Sequence, residues 1–198
     1  CLDGGGLVVR TVVRNSSASL AGGGVALCAG GTINGCTVRD CSADEGGGVA
    51  CDGGGVMSNT VLWQNQAATR GGGVVVRSGR LDIAHCSVSH NEAGTEGGGL
   101  SVKIEDGAAV HLVNSVLVGN TAPADANLHP PDVPGLRRCC VEPSAGSAPI
   151  EGDPLFVDVA AGDLHLLQHS PCVDAGLDAG CSFDREGTGR PLDGTGDG

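Results

Sequence analysis

His165 and His169 stand four apart in "LHLLQHS", the separation at which two imidazoles on one helix face can share a zinc ion. The segment alternates like a strand and has no Glu between the two, so solvated surface histidines are the reading. Cys86 follows His85, but neighbours on a strand point to opposite faces, which argues against a thiol–imidazole nucleophile pair. Asp40, Asp44 and Glu45 fall in one turn rather than in a repeated carboxylate cluster, and the single Lys, Lys103, has no evident partner. Asp153, Asp158, Asp163, Asp174, Asp178 and Asp184 could supply oxygens for Ca²⁺, although turn formation and solvated charge are the plainer use of such residues. No CxxC spacing supports a structural zinc site, and no other cofactor is implied.

The elements that must carry these residues are unusual. Of 198 residues, 36 are Gly, while Trp, Phe and Tyr together supply only three. An ordinary core leans on aromatic side chains, so this chain must bury many small β-formers instead. Four of the six glycine triplets form a series beginning at Gly22, Gly46, Gly71 and Gly97, separated by 24, 25 and 26 residues. A repeat of that length specifies stacked coils. No Lys-Ser/Thr follows any triplet, so phosphate binding is not their purpose.

Aligned on the residue that ends each repeat, Asn15, Cys41, Asn65, Asn91 and Asn120 form one column. Three places upstream stand Val12, Val38, Leu62, Val88 and Leu117; eight upstream stand Leu7, Ile33, Met57, Ile83 and Leu112. Both columns are wholly apolar, and polar residues alternate between them with period two. These observations predict an all-β chain, a parallel β-helix (solenoid) with coils of about 25 residues. Coils occupy residues 1–120, and an irregular segment of the same domain, 121–198, covers the C-terminal end. Glycines serve as turns and close-approach points. Asn15, Asn65, Asn91 and Asn120 are expected at turns, with their amides laddering up the stack. Asn15 also heads an N-x-S sequon, but a packed turn residue is a poor glycan acceptor.

"CSVSHNEAGTEGGGL" and "TVLWQNQAATRGGGV" resemble the repeats of chlamydial polymorphic outer-membrane proteins. "DPLFVDVAAGDLHLLQHSPCVDAG", Asp153 to Gly176, resembles a group of bacterial secreted right-handed β-helix proteins with variable C-terminal anchors. The resemblance implies a right-handed coil, an extracellular or cell-surface location, and a chain of which both ends here are cut.

Ten cysteines favour an oxidising compartment. Cys36 and Cys86 share an inward position two coils apart, about 9 to 10 Å, which is too far for a disulfide. Cys28 and Cys51 lie near one another on successive coils, and Cys172 and Cys181 flank a short loop; both pairs are disulfide candidates. Cys139 and Cys140 are expected to serve two different partners.

Net charge is −12, with ten acids against two arginines in residues 151–198, which argues against nucleic acid and anionic membranes as partners. No apolar run is long enough for a transmembrane helix. The repeat specifies shape while no column specifies chemistry, so the expected function is a non-catalytic extracellular or cell-surface structural or adhesive protein. The alternative is a lyase or hydrolase of acidic glycans, an activity many β-helices have. Partners expected are glycans or cell-surface proteins, and, because the first coil carries Leu7 and Val12 uncapped, either upstream coils or another subunit stacked into a filament.

Overall fold

The computed structural model describes residues 5–142, 150–178, 180 and 182–189. Its core is a parallel β-solenoid of about five turns. Four stacks of strands run along it. Sheet 1 stacks Gly6–Val9, Gly31–Asn34, Gly55–Ser58, Arg80–Ala84, Ala109–Val113 and Leu136–Arg137. Sheet 2 stacks Val12–Arg14, Thr37–Arg39, Val61–Trp63, Ser87–Ser89, Val116–Val118 and Cys140–Val141. Sheet 3 is short, with Ser42–Glu45, Gln66–Arg70 and Glu92–Ala93; sheet 4 stacks Val25–Leu27, Val49–Asp52, Val74–Ser78, Leu100–Val102 and Leu128–His129. Among the described residues the helical content is one 3-10 turn, Ile104–Asp106. Sheets 1, 2 and 4 thus continue one rung past Asn120, to Val141.

The inward columns stack as their uniformity demands. Ile33, Met57, Ile83 and Leu112 are in register in sheet 1, and Val38, Leu62, Val88 and Leu117 in sheet 2. All eight are at most 1% exposed and belong to one core. Burying a side chain of this kind contributes roughly 1.5–3 kcal/mol, so small residues in long files replace the missing aromatics.

The first coil differs from the sequence alignment by one residue. Ile33 pairs with Val8, not Leu7, and Val38 pairs with Val13, not Val12. With a side-chain period of two, that slip exchanges faces. Val8 and Val13 pack on the core, while Leu7 and Val12 are 62% and 61% exposed. Asn15 moves with them. It lies one place before the asparagine column, in register with Asp40, and its side chain is exposed, so packing in the stack does not bury this sequon.

Two turn columns take up positive φ. One comprises Asn15, Asp40, Gln64, His90 and Gly119 (φ 53, 54, 53, 56 and 65°); the other Arg10, Gly35, Asn59, His85, Asn114 and Arg138 (47, 66, 50, 55, 49 and 50°). Left-handed backbone suits Gly and Asn best, yet most of these residues are neither. The stack imposes the conformation on every rung.

Directly after each turn column, a small inward side chain bonds back to the carbonyl two residues earlier. Thr60 Oγ1 donates to Ser58 O at 2.8 Å, Ser115 Oγ to Val113 O at 2.9 Å, and the Cys36, Cys86 and Cys139 thiols to Asn34, Ala84 and Arg137 carbonyls at 3.3–3.4 Å. Cysteine here substitutes for Ser or Thr in closing a turn, and burial raises the Cys139 thiol pKa.

The C-terminal segment takes a different path from the expected cap. It begins at the last rung, where Ile150 N donates to Cys139 O. An antiparallel pair, Phe156–Asp158 with Asp163–Leu166, follows. The chain then runs back along the flank as a strap. Leu177 exchanges two hydrogen bonds with Asn114 (2.6 and 2.9 Å), Phe183 O accepts from Asn59, and Arg185 donates to Thr37 at 2.9 Å. Each contact lies nearer the first rung than the one before.

Candidate functional site

The asparagine amides ladder from Asn65 onward, but the left-handed turn is taken by the residue before each, Gln64, His90 and Gly119, rather than by the asparagines themselves. Asn65 Nδ2 donates to Asn91 Oδ1 and Asn91 Nδ2 to Asn120 Oδ1, both at 2.9 Å, while each also bonds backbone of the preceding coil. Asn120 Nδ2 then donates to Asn127 Oδ1 at 2.7 Å. Asn127 was not foreseen, because it comes from the place of the third glycine of a lost triplet. Ser16, not Asn15, precedes Cys41 in this column, since Asn15 is in register with Asp40. All of these roles are structural.

The cysteine bridges expected from the sequence do not form. Cys51 is in register with Leu27 and points into the core with a free thiol. Cys28, one residue after Leu27, belongs to the opposite face and is bonded elsewhere. Cys172 is also a free thiol; Cys181 lies outside the described residues. Of the vicinal pair, Cys139 faces the core and Cys140 the strap. The Cys140 thiol donates to Gly152 O at 3.3 Å, and its interaction with Cys172 raises its own pKa and holds that of Cys172 down at about 7.

The six calcium candidates are spread along the hairpin and strap and are occupied with their own turns. Asp153, Asp158, Asp163, Asp178 and Asp184 each accept from a backbone N–H two to four residues on, at 2.7–3.1 Å, and Asp174 takes φ 55°. His165 bonds Asp163 and lowers that carboxyl's pKa; His165 is exposed and Asp163 half-buried. His169 is exposed in a turn. Among the described residues no group of three or more His, Cys, Asp or Glu could hold a metal ion. Cys86 faces the core while His85 sits in a turn column beside Asn114, and Lys103 pairs with Asp106 at 3.1 Å.

Two outer-face depressions remain. One, about 510 Å³, lies between sheet 1 and the strap, with Asp82, His111, Arg137 and Asp178 among its walls. The other is a shallow groove of about 530 Å³ beside sheet 3. Its floor is two polar files at coil spacing: Asp40, Gln64 and His90 on the turn column, and Ser42, Gln66, Glu92 and Thr121 on the next outward positions. Gln66 bonds Glu92 at 3.4 Å, Asp40 pairs with Arg39, and Ser89 holds the His90 ring at 2.8 Å. Comparison with known proteins finds no matching family model, curated protein or solved structure.

The groove therefore stands on its own chemistry. It offers amides, hydroxyls, one imidazole and two carboxylates in rows about 4.8 Å apart, a spacing set by coil stacking. Such rows can hydrogen-bond a long polar chain at several points. The sequence signal was present in the residue before each ladder position, where Asp40, Gln64 and His90 are all polar.

Proposed function

We propose that this chain is a non-catalytic structural or adhesive module of an extracellular or cell-surface protein, related in design to secreted bacterial β-helix proteins, and that the sheet 3 groove is its contact face for extended glycans. The observation that carries the reading is a division of labour within each repeat. Positions that recur in kind build the ladder and core, while outward positions in the groove change from rung to rung: Ser42, Gln66, Glu92 and Thr121 beside Asp40, Gln64 and His90 of the turn column. A rigid frame that varies only its outer face is suited to display and binding. Among the described residues no helix is long and apolar enough to cross a membrane.

Asp40 and Glu92 in one groove favour a second reading, glycan cleavage by paired carboxylates. Affinity electrophoresis against neutral and acidic polysaccharides, with reducing ends and unsaturated products measured in parallel, separates the two. Binding weakened by Gln64→Ala with no product formed supports the adhesive module. Product formation abolished by Asp40→Asn or Glu92→Gln establishes the enzyme instead. No binding to any glycan or cell surface would remove the groove's proposed role.

A further inference from the structure

We propose that Cys140 and Cys172 are a disulfide-forming pair that locks the strap onto the last rung of the solenoid. This inference is independent of the glycan reading. Cys140 sits in the last strand of sheet 2, in register with Val116, and so points outward where its vicinal neighbour Cys139 points in. The strap covers it fully, with Cys140 Sγ 3.3 Å from the Gly152 carbonyl oxygen. Gly152 in turn packs against Pro171, the residue before Cys172. That arrangement sets Cys172 beside Cys140, near enough for each thiol to act on the other's protonation. Cys172 is fixed from behind, since its backbone N–H donates to Ser170 Oγ at 3.1 Å.

Access separates this pair from the remaining thiols. Cys36, Cys41, Cys51, Cys86 and Cys139 are buried within the solenoid, whereas Cys172 is partly exposed and is the sulfur an oxidant meets first. Interaction with the Cys140 thiol favours the Cys172 thiolate, which is the nucleophilic form. A low-molecular-mass disulfide RSSR supplies the oxidising equivalents. Cys172 thiolate attacks one sulfur of RSSR, forming a mixed disulfide and releasing RS⁻. Cys140 passes its proton to the released RS⁻ and attacks the Cys172 sulfur, expelling the second RS⁻, which takes up the proton that Cys172 had given up. The balance is two protein thiols and one RSSR giving one protein disulfide and two RSH. The bond would secure the segment just upstream of Leu177 and Asp178, which wall the flank cavity.

The test uses the whole chain, oxidised with glutathione disulfide or reduced with dithiothreitol, blocked with N-ethylmaleimide and digested without further reduction. Peptide mass spectrometry is expected to show a Cys140–Cys172 linked pair, two hydrogens lighter than the reduced peptides, in the oxidised sample alone. Cys139→Ser, which places a hydroxyl where Ser115 already carries one a rung earlier, assigns the link within the vicinal pair. Cys140→Ser is expected to trap Cys172 as its glutathione adduct, and Cys181→Ser to leave the link intact. The proposal is overturned if Cys140 and Cys172 both carry maleimide after oxidation, or if Cys172 is found linked to Cys181.

Discussion

A β-carbon on Gly73 would lie 3.1 Å from Nδ2 of Asn91, the ladder amide of its own coil. Gly48 stands in the same relation to Asn65, and Gly99 to Asn120, at 3.1 and 2.8 Å. The third glycine of each triplet is therefore the space into which the ladder is built. Its two neighbours have other duties. The first takes positive φ (Gly71, 67°), and the second meets backbone across the coil, with Gly72 2.3 Å from Glu92 O were a β-carbon present.

Gly73→Ala is accordingly expected to destabilise by about 1–3 kcal/mol, the usual cost of overpacking, because the new methyl also meets Gly99 O at 2.6 Å. Gly189→Ala, with open space around it, is the control and is expected to stay within about 0.5 kcal/mol. Urea denaturation of both variants checks this. Equal midpoints would show that the ladder pocket has slack.

Asn91 accepts from the backbone and side chain of Asn65 and donates to Leu62, Ser89 and Asn120. Asn91→Ala orphans several buried groups, each costing about 1–3 kcal/mol, so a loss above about 3 kcal/mol is expected. Asn15→Gly, at an exposed left-handed position, is expected to be neutral to within about 1 kcal/mol. Were the two substitutions equally damaging, Asn15 would belong in the ladder after all.

The register of the first coil has its own test. Leu7→Asp adds a charge to an already exposed position and is expected to leave thermal unfolding nearly unchanged. Val8→Asp sets a carboxylate against the core and is expected to lower the midpoint by several degrees, about 1–3 kcal/mol. Reversed sensitivities would restore the alignment in which Leu7 stacks on Ile33.

Periodicity made the solenoid legible, because a core built from identical columns repeats the same evidence in every coil. Met57 and Leu62 were placed correctly by counting alone. The first coil was misplaced because "GLVVRTVVRN" is apolar at adjacent positions, and either of two registers fills the columns. The strap's path was illegible for a different reason. Its anchors, such as Asn114 with Leu177 and Asn59 with Phe183, join residues 63 and 124 apart through single side chains, with no period to reveal them. The same holds for Cys140 and Cys172, which no local spacing connects.

In the reduced protein, Cys172 is expected to be alkylated by iodoacetamide with a rate that rises through about pH 7 and is level by pH 9. An ordinary thiol would still be gaining rate there, since its pKa is about 8.5. The sign follows from the cause: the Cys140 thiol favours the thiolate of Cys172, so removing that thiol in Cys140→Ala should move the midpoint upward. A profile centred near the ordinary thiol value in both proteins would show that the two sulfurs do not interact.

Trp63, the one tryptophan of the chain, faces outward from sheet 2 yet is only 8% exposed. Its cover is the hairpin that leads into the strap: Gly162, at φ 76°, places its α-carbon where an added β-carbon would touch the indole at 3.2 Å. Gly162→Val is doubly unfavourable, since a β-branched residue resists left-handed backbone and its side chain would press on the ring. The hairpin is therefore expected to lift at this point while the solenoid remains folded. Tryptophan emission should shift to longer wavelength, and limited proteolysis should cut within residues 150–178 several-fold faster, with far-ultraviolet circular dichroism unchanged. Unaltered emission with the strap still protected would mean that the indole is covered by the solenoid itself, and that the hairpin before the strap contributes nothing to holding it down.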